Sequence, residues 1–293
     1  MKQISHWLNP LAILTVAAIA WADPAPAREP NPRIISNLNQ DVESIEIYVP
    51  PPERGRNGFC SYFLKPAIDS VVGSQKQKWG ILVESLDDRA VIYSHNADKY
   101  FIPASNIKLL TTAAALQKLD PGTPIRSKSL RDWVRVTNLR SNNGYADTLL
   151  RYIGGSQAVK QALMPLGVNP NSYRMADGSG LSRQNTATPR ALVETLRAMH
   201  SAPGREVFHA SLPVAGVSGT LRNRLRQTPA QGMVYAKTGT LRGVRALSGY
   251  MNHPDYGTLV FSIMVNQPNQ SGRTLVKAID DIVLRLSMLI PCQ

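Results

Sequence analysis

The sequence predicts an α/β fold in which an antiparallel sheet built from N- and C-terminal segments is flanked by helices, with an all-helical lobe inserted between the two halves. Two groups of strand-period segments lie far apart, at Lys78–Ser94 and Met233–Val265, and a helical period closes the chain over Gly272–Leu289. The stretch between the two groups reads as a series of helices. Composition agrees: 43% apolar and 18% charged residues in 293 support a packed core and exclude a disordered chain. The 20 glycines and 21 prolines follow no period, which excludes collagen-like and solenoid architectures.

Taken in order, residues 1–22 read as a secretory signal: Lys2, an apolar run from Leu11 to Trp21, and the small-x-small site Ala20-Trp21-Ala22. That run is too short to span a bilayer. Export to a periplasmic or other extracytoplasmic space is expected, and the membrane is a partner only if the segment stays uncleaved. Residues 23–58 are dense in proline (Pro24, Pro26, Pro30, Pro32, Pro50, Pro51, Pro52) and predict an extended tether, with a short strand at Val42–Val49. The folded body is 59–293, with an α/β lobe at 59–104 and 230–293 and a helical lobe at about 105–229.

Within the body, a helix is expected around Ser61–Val72, then a hairpin of Lys78–Ser85 and Ala90–Ser94 turned by Asp87-Asp88. Ile107–Leu119 is apolar all round, which predicts a buried helix stopped by Asp120-Pro121-Gly122. Further helices follow at Leu130–Thr137, Tyr145–Ile153, Gln157–Leu166 and Pro189–Met199. Strands then return at Met233–Ala236, Arg245–Met251 and Thr258–Val265.

Lysine plus arginine total 33 against 20 acids, a net charge of +13 that suggests an anionic partner. The cations are spread singly, without a basic run interleaved with aromatics, so no nucleic-acid module is predicted. Export makes the cysteines informative. Cys60 and Cys292 either remain two buried thiols or pair, tying the first helix to the last. The histidines show no paired ligand spacing, so neither a metal nor another cofactor is implied.

Three short patterns could carry chemistry: Ser105-Asn106-Ile107-Lys108, Ser141-Asn142-Asn143 and Lys237-Thr238-Gly239. Positions i and i+3 share a helix face, so Lys108 can set its amine against the Ser105 hydroxyl. Serine needs such a base, and lysine serves when neutral. Burial, with Lys237 as a second nearby cation, is expected to lower the Lys108 pKa. A helix that starts at Ser105 also offers unpaired backbone N–H groups where an oxyanion forms.

This set resembles the motifs of penicillin-binding proteins and serine β-lactamases. The local wording is most similar to D-Ala-D-Ala carboxypeptidase/endopeptidases of the DacB (penicillin-binding protein 4) type. It includes Tyr100 through Leu116, Asp177-Gly178-Ser179-Gly180-Leu181-Ser182-Arg183, Gly219-Thr220-Leu221-Arg222-Asn223-Arg224 and Lys237 through Leu241. The resemblance implies a DD-peptidase/transpeptidase-like catalytic domain acting on peptidoglycan stem peptides, with β-lactam antibiotics as covalent inhibitors. It further implies that Ser105 is acylated with Lys108 as base, that Ser141 relays a proton to the departing D-Ala, and that Asn143 hydrogen-bonds the substrate amide. Lys237, Thr238 and Thr240 would hold the terminal carboxylate beside Gly239, and Arg183 would face the stem-peptide side chain.

Two departures stand out against the family pattern. Only 36 residues separate Ser105 from Ser141, which leaves no room for the family's inserted domains and implies a more open pocket. Ser218 stands where an aspartate is common. Two other readings compete. A serine β-lactamase needs a deacylating glutamate, and Glu194 and Glu206, read as lying in a helix and a loop, lack the usual surrounding pattern. A wall-binding scaffold would keep the groove without turnover.

Overall fold

A computed structural model describes residues 59–292; the signal segment, the tether and the strand expected at Val42–Val49 lie outside the described residues. Five strands form one antiparallel sheet: β1 (Trp79–Ser85), β2 (Val91–His95), β3 (Val234–Leu241), β4 (Val244–His253) and β5 (Gly257–Asn266). Their spatial order is β2-β1-β5-β4-β3, so the two strands from the N-terminal half complete a sheet otherwise made by the C-terminal half. β1 is buried along its whole length because both faces of the sheet are covered.

Side-chain alternation divides the core in two. Ile81, Val83, Leu247, Met251, Phe261 and Ile263 point to one face, where they meet helices α1 (Leu64–Val72) and α8 (Gly272–Ser287) through Ile68, Ile279 and Ile282. Leu82, Ala246, Tyr250, Val260 and Met264 point to the other face and join the helical core. That core contains α2 (Ile107–Lys118), α3 (Leu130–Leu139), α4 (Asn143–Tyr152), α5 (Gly155–Leu163), α6 (Pro189–Ser201) and α7 (Arg205–Ala210). Helix starts are capped by side chains that accept otherwise unpaired N–H groups: Ser129 for α3, Asn142 for α4, Thr188 followed by Pro189 for α6, and Ser271 for α8. The Asn142 cap lies inside the second motif, so forming α4 also shapes the loop that carries Ser141 and Asn143.

Three expectations need correction. The strand expected to end at Ala236 runs on through Lys237-Thr238-Gly239 to Leu241, because it pairs with β4 in continuous register from Val234↔Met251 to Leu241↔Val244. The third motif therefore lies wholly on this strand, where Lys237 is buried. Glu206 sits in helix α7, not in a loop. The last helix stops at Ser287, after which Leu289 and Ile290 pair in parallel with Phe59 and Cys60.

Beside that pairing, Cys60 and Cys292 are joined as a disulfide across a sequence separation of 232. Closing a loop of this length removes denatured-state entropy equivalent to at most about 5 kcal/mol. Reduction is therefore expected to lower the melting temperature by roughly 10 °C. Melts with and without reductant test this, and an unchanged midpoint would show that the bridge contributes nothing.

Candidate active site

Ser105 sits in a single 3-10 turn, Ala104–Asn106, that leads into α2 at Ile107. The turn is pinned to the sheet because Asn106 Nδ2 donates to Ser248 Oγ at 2.7 Å, and Ser248 Oγ in turn donates to Ser262 Oγ. Strand β3 runs alongside, so close that a Cβ on Gly239 would lie 2.6 Å from the Pro103 carbonyl oxygen. Glycine in the third motif is thus what lets the strand approach the serine turn.

Two amine–hydroxyl pairs face one another across the cleft. Lys108 Nζ donates to Ser105 Oγ at 3.0 Å, to Asn143 Oδ1 at 2.8 Å and to the Ser179 carbonyl at 2.5 Å. Lys237 Nζ donates to Ser141 Oγ at 2.8 Å and to the Thr238 carbonyl at 2.9 Å. Both lysine side chains are fully buried. Burial pulls the Lys108 pKa down to about 8, against the opposing pull of the Asp147 and Asp177 carboxylates. Lys237 is held well below its usual range, first by burial and second by the charge of Lys108. Desolvation is the first cause of the shift in both lysines, and two amines buried this close each disfavour the other's charge.

The loop after Asp177 closes the site. Asp177 accepts backbone N–H groups from Ser179, Gly180 and Ser182, and a side-chain N–H from Asn185. Burial would raise its pKa, but these donors outweigh burial and leave it lowered. Asp147 accepts from the Gly178 N–H, and Thr111 Oγ1 donates to the Gly178 carbonyl, so the loop is fixed to α4 and α2 together. Ala104 and Ser141 adopt positive φ values of 48° and 53°, an uncommon conformation for residues with a Cβ. Backbone strain thus sits just before one motif serine and on the other.

The cleft between these groups has a volume of about 400 Å³ and is lined by Ser105, Ser141, Asn143, Thr238 and Thr240, together with Leu181, Thr220, Arg224 and Val276. The structure brings Ser105, Lys108, Ser141, Asn143, Lys237 and Thr238 to one place, with Gly239 beneath and Thr240 at the rim. Arg183 does not line this cleft; it is exposed and donates to the Arg242 carbonyl at 2.6 Å. The sequence reading assigned no role to Leu181, Thr220, Arg224 or Val276. Leu181, Thr220 and Arg224 lie in stretches that carried the resemblance, but Val276 follows the core period of α8 and gives no signal. Thr220 Oγ1 lies 2.7 Å from Thr238 Oγ1, and Arg224 is held by Asp280 through Nε and Nη2. Among the described residues, no cluster of His, Cys, Asp and Glu could hold a metal ion, and no helix is long and apolar enough to cross a membrane.

A serine-bearing turn braced on a five-stranded antiparallel sheet, with a helical layer carrying the opposing motif, is the fold shared with penicillin-binding proteins and serine β-lactamases. The crystal structure of penicillin binding protein 4 from Haemophilus influenzae superposes with a TM-score of 0.64 at 15% identity, covering 75% of this chain and 99% of that one. The extended-spectrum β-lactamase TLA-3 gives 0.63 at 18% identity, over 78% and 98%. More specifically, the profile of the D-Ala-D-Ala carboxypeptidase 3 (S13) family matches residues 64–126 and 123–286, and the chain belongs to that family. It is 44% identical over 163 residues to the D-alanyl-D-alanine carboxypeptidase of Actinomadura sp. strain R39, covering 50% of this chain and 30% of that relative. It is 32% identical over 154 residues to the D-alanyl-D-alanine carboxypeptidase DacB of Haemophilus influenzae, covering 48% and 32%. The match thus spans about a third of the length of these two relatives.

Proposed function

We propose that the protein is an exported serine-type D-Ala-D-Ala carboxypeptidase that trims peptidoglycan stem peptides through an acyl-enzyme on Ser105. The observation that carries this reading is the pair of contacts Lys108–Ser105 and Lys237–Ser141 converging on one cleft. Family membership and the carboxypeptidases among the relatives support the same reaction. Export rests on the signal segment in residues 1–22.

In this mechanism Ser105 Oγ attacks the carbonyl carbon of the penultimate D-Ala while its proton passes to neutral Lys108. The backbone N–H groups of Ser105 and Thr240 stabilise the oxyanion. The carbon–nitrogen bond then breaks, and the proton taken up by Lys108 passes through Ser141, which Lys237 holds in position, to the departing D-Ala amine, so that Lys108 is neutral again. Water completes the cycle by hydrolysing the ester. Asn143 orients the substrate amide, and Thr238 and Thr240 bind the terminal carboxylate.

The pH dependence has a definite sign. Lys108 acts only when unprotonated, so acylation rises with pH by about tenfold per unit below 7 and levels off above about 8. Stopped labelling with a fluorescent penicillin from pH 5.5 to 9 checks this; a rate that falls as pH rises excludes Lys108 as base.

No carboxylate lines the cleft among the described residues, and Glu194 is occupied by the Asn169 N–H. Both facts favour a slowly deacylating peptidase over a β-lactamase. Incubation with a stem peptide ending in D-Ala-D-Ala tests the function: release of D-Ala, abolished by Ser105→Ala, is expected. Penicillin label that vanishes within seconds would indicate a β-lactamase, and neither release nor label would indicate a scaffold.

A further inference from the structure

The folded body carries an excess of positive charge. Residues 59–293 hold 28 of the 33 lysines and arginines but only 14 of the 20 acids. A concentrated share of that excess lies on α3 and the hairpin leading into it, where Arg126, Lys128, Arg131, Arg135 and Arg140 are all exposed. Lys128, Arg135 and Arg140 line a groove of about 310 Å³ with Asp132, Val136 and Leu139. Among the described residues none of these three cations forms a salt bridge. Asp132 is already engaged, accepting from Ser129 Oγ at 2.7 Å while its own N–H is capped by the same hydroxyl.

The position of this groove matters as much as its charge. Arg140 immediately precedes Ser141, and Leu139 packs beside Gly219, whose neighbour Thr220 contacts Thr238 in the cleft. At the other end, Lys128 Nζ donates to Tyr145 Oη at 3.0 Å, and the Tyr145 N–H is received by Asn142 in the same motif loop. The basic groove therefore runs along the outer face of the helix whose end delivers Ser141.

We propose that this groove docks carboxylates of the peptidoglycan polymer outside the scissile dipeptide. The proposal rests on the carboxypeptidase reading, which brings a multiply carboxylated polymer to this face. Arginine forks suit carboxylates, and exposed cations beside a cleft raise the local concentration of an anionic substrate. Docking speeds capture of the polymer and leaves the chemistry at Ser105 untouched.

The test uses the mature protein carrying Ser105→Ala and insoluble peptidoglycan sacculi freed of phosphate polymers. Co-sedimentation in low salt is expected, weakened by 0.5 M NaCl and about tenfold by Lys128→Glu with Arg135→Glu. The same pair of substitutions in the Ser105 protein should leave the rate of penicillin acylation within about twofold, which separates docking from folding and from the chemical step. Equal sedimentation of parent and variant overturns the proposal, as does binding that appears only on sacculi retaining phosphate polymers. If the double variant also loses acylation, Lys128→Gln with Arg135→Gln replaces it, and unweakened sedimentation by that form overturns the proposal in the same way. Sedimentation of the Ser105→Ala protein with no penicillin uptake by the protein that retains Ser105 would instead fault the carboxypeptidase reading.

Discussion

Replacing Lys108 with methionine is expected to slow acylation of Ser105 by penicillin at least about a thousandfold while leaving the melting temperature within a few degrees of the parent. The first part follows from the 3.0 Å contact between Nζ and Ser105 Oγ, which makes Lys108 the group placed to take the serine proton. The second follows from burial. A drop from 10.5 to about 8 in the lysine pKa means that holding the ammonium inside the fold costs on the order of 3 kcal/mol below pH 8. The unfolded chain binds that proton more readily than the folded one, so stability from this group rises as pH climbs between about 8 and 10.5. Methionine removes the penalty but leaves Asn143 Oδ1 and the Ser179 carbonyl without a donor, at roughly 1–3 kcal/mol each, and the effects nearly cancel. Labelling rates and thermal melts read the two halves separately. A variant that still acylates at a tenth of the parental rate removes Lys108 from the mechanism.

Gly180→Ala is the second large effect, and it arises from a residue that never meets substrate through a side chain. Gly180 has φ +83°, and a Cβ there would drive into the Ala104 carbonyl and the Ser105 N–H. Left-handed backbone costs an alanine on the order of 1 kcal/mol, and the forced shift of a packed turn costs a further 1–3. A melting temperature lower by roughly 10 °C is expected, together with acylation reduced at least about tenfold because the Ser105 N–H moves from the oxyanion position. A variant with parental stability and parental labelling would mean that the loop gives way freely and that its hydrogen bonds to Asp177 do not fix the serine turn.

Much of this was legible in the sequence for physical reasons that differ from element to element. The distant strand groups and the all-apolar helix at Ile107 come through because burial on both faces leaves few polar residues. The pairing of Ser105 with Lys108 is local, one helical turn apart, and so is readable from spacing. The end of strand β3 reads short in sequence because Lys237, Thr238 and Gly239 carry no strand signature of their own; they belong to the strand because they pair with Ser248, Leu247 and Ala246 of β4, far along the chain. Helix α7 was missed because six residues are too few for a period to show. The tuning of Lys108 by Asp147 and Asp177 was invisible because it depends on contacts between segments far apart in the chain. Arg183 shows the opposite case, a residue assigned by resemblance whose guanidinium the structure turns toward the Arg242 carbonyl.

All of these expectations reduce to whether one hydroxyl, activated by the neighbouring amine, becomes covalently bound. Intact-protein mass spectrometry after incubation with benzylpenicillin, followed by peptide mapping, measures this directly. A single penicilloyl adduct on the peptide containing Ser105, persisting for minutes and missing in Ser105→Ala, is predicted. An adduct on any other residue, or an unmodified protein after prolonged exposure, would contradict it.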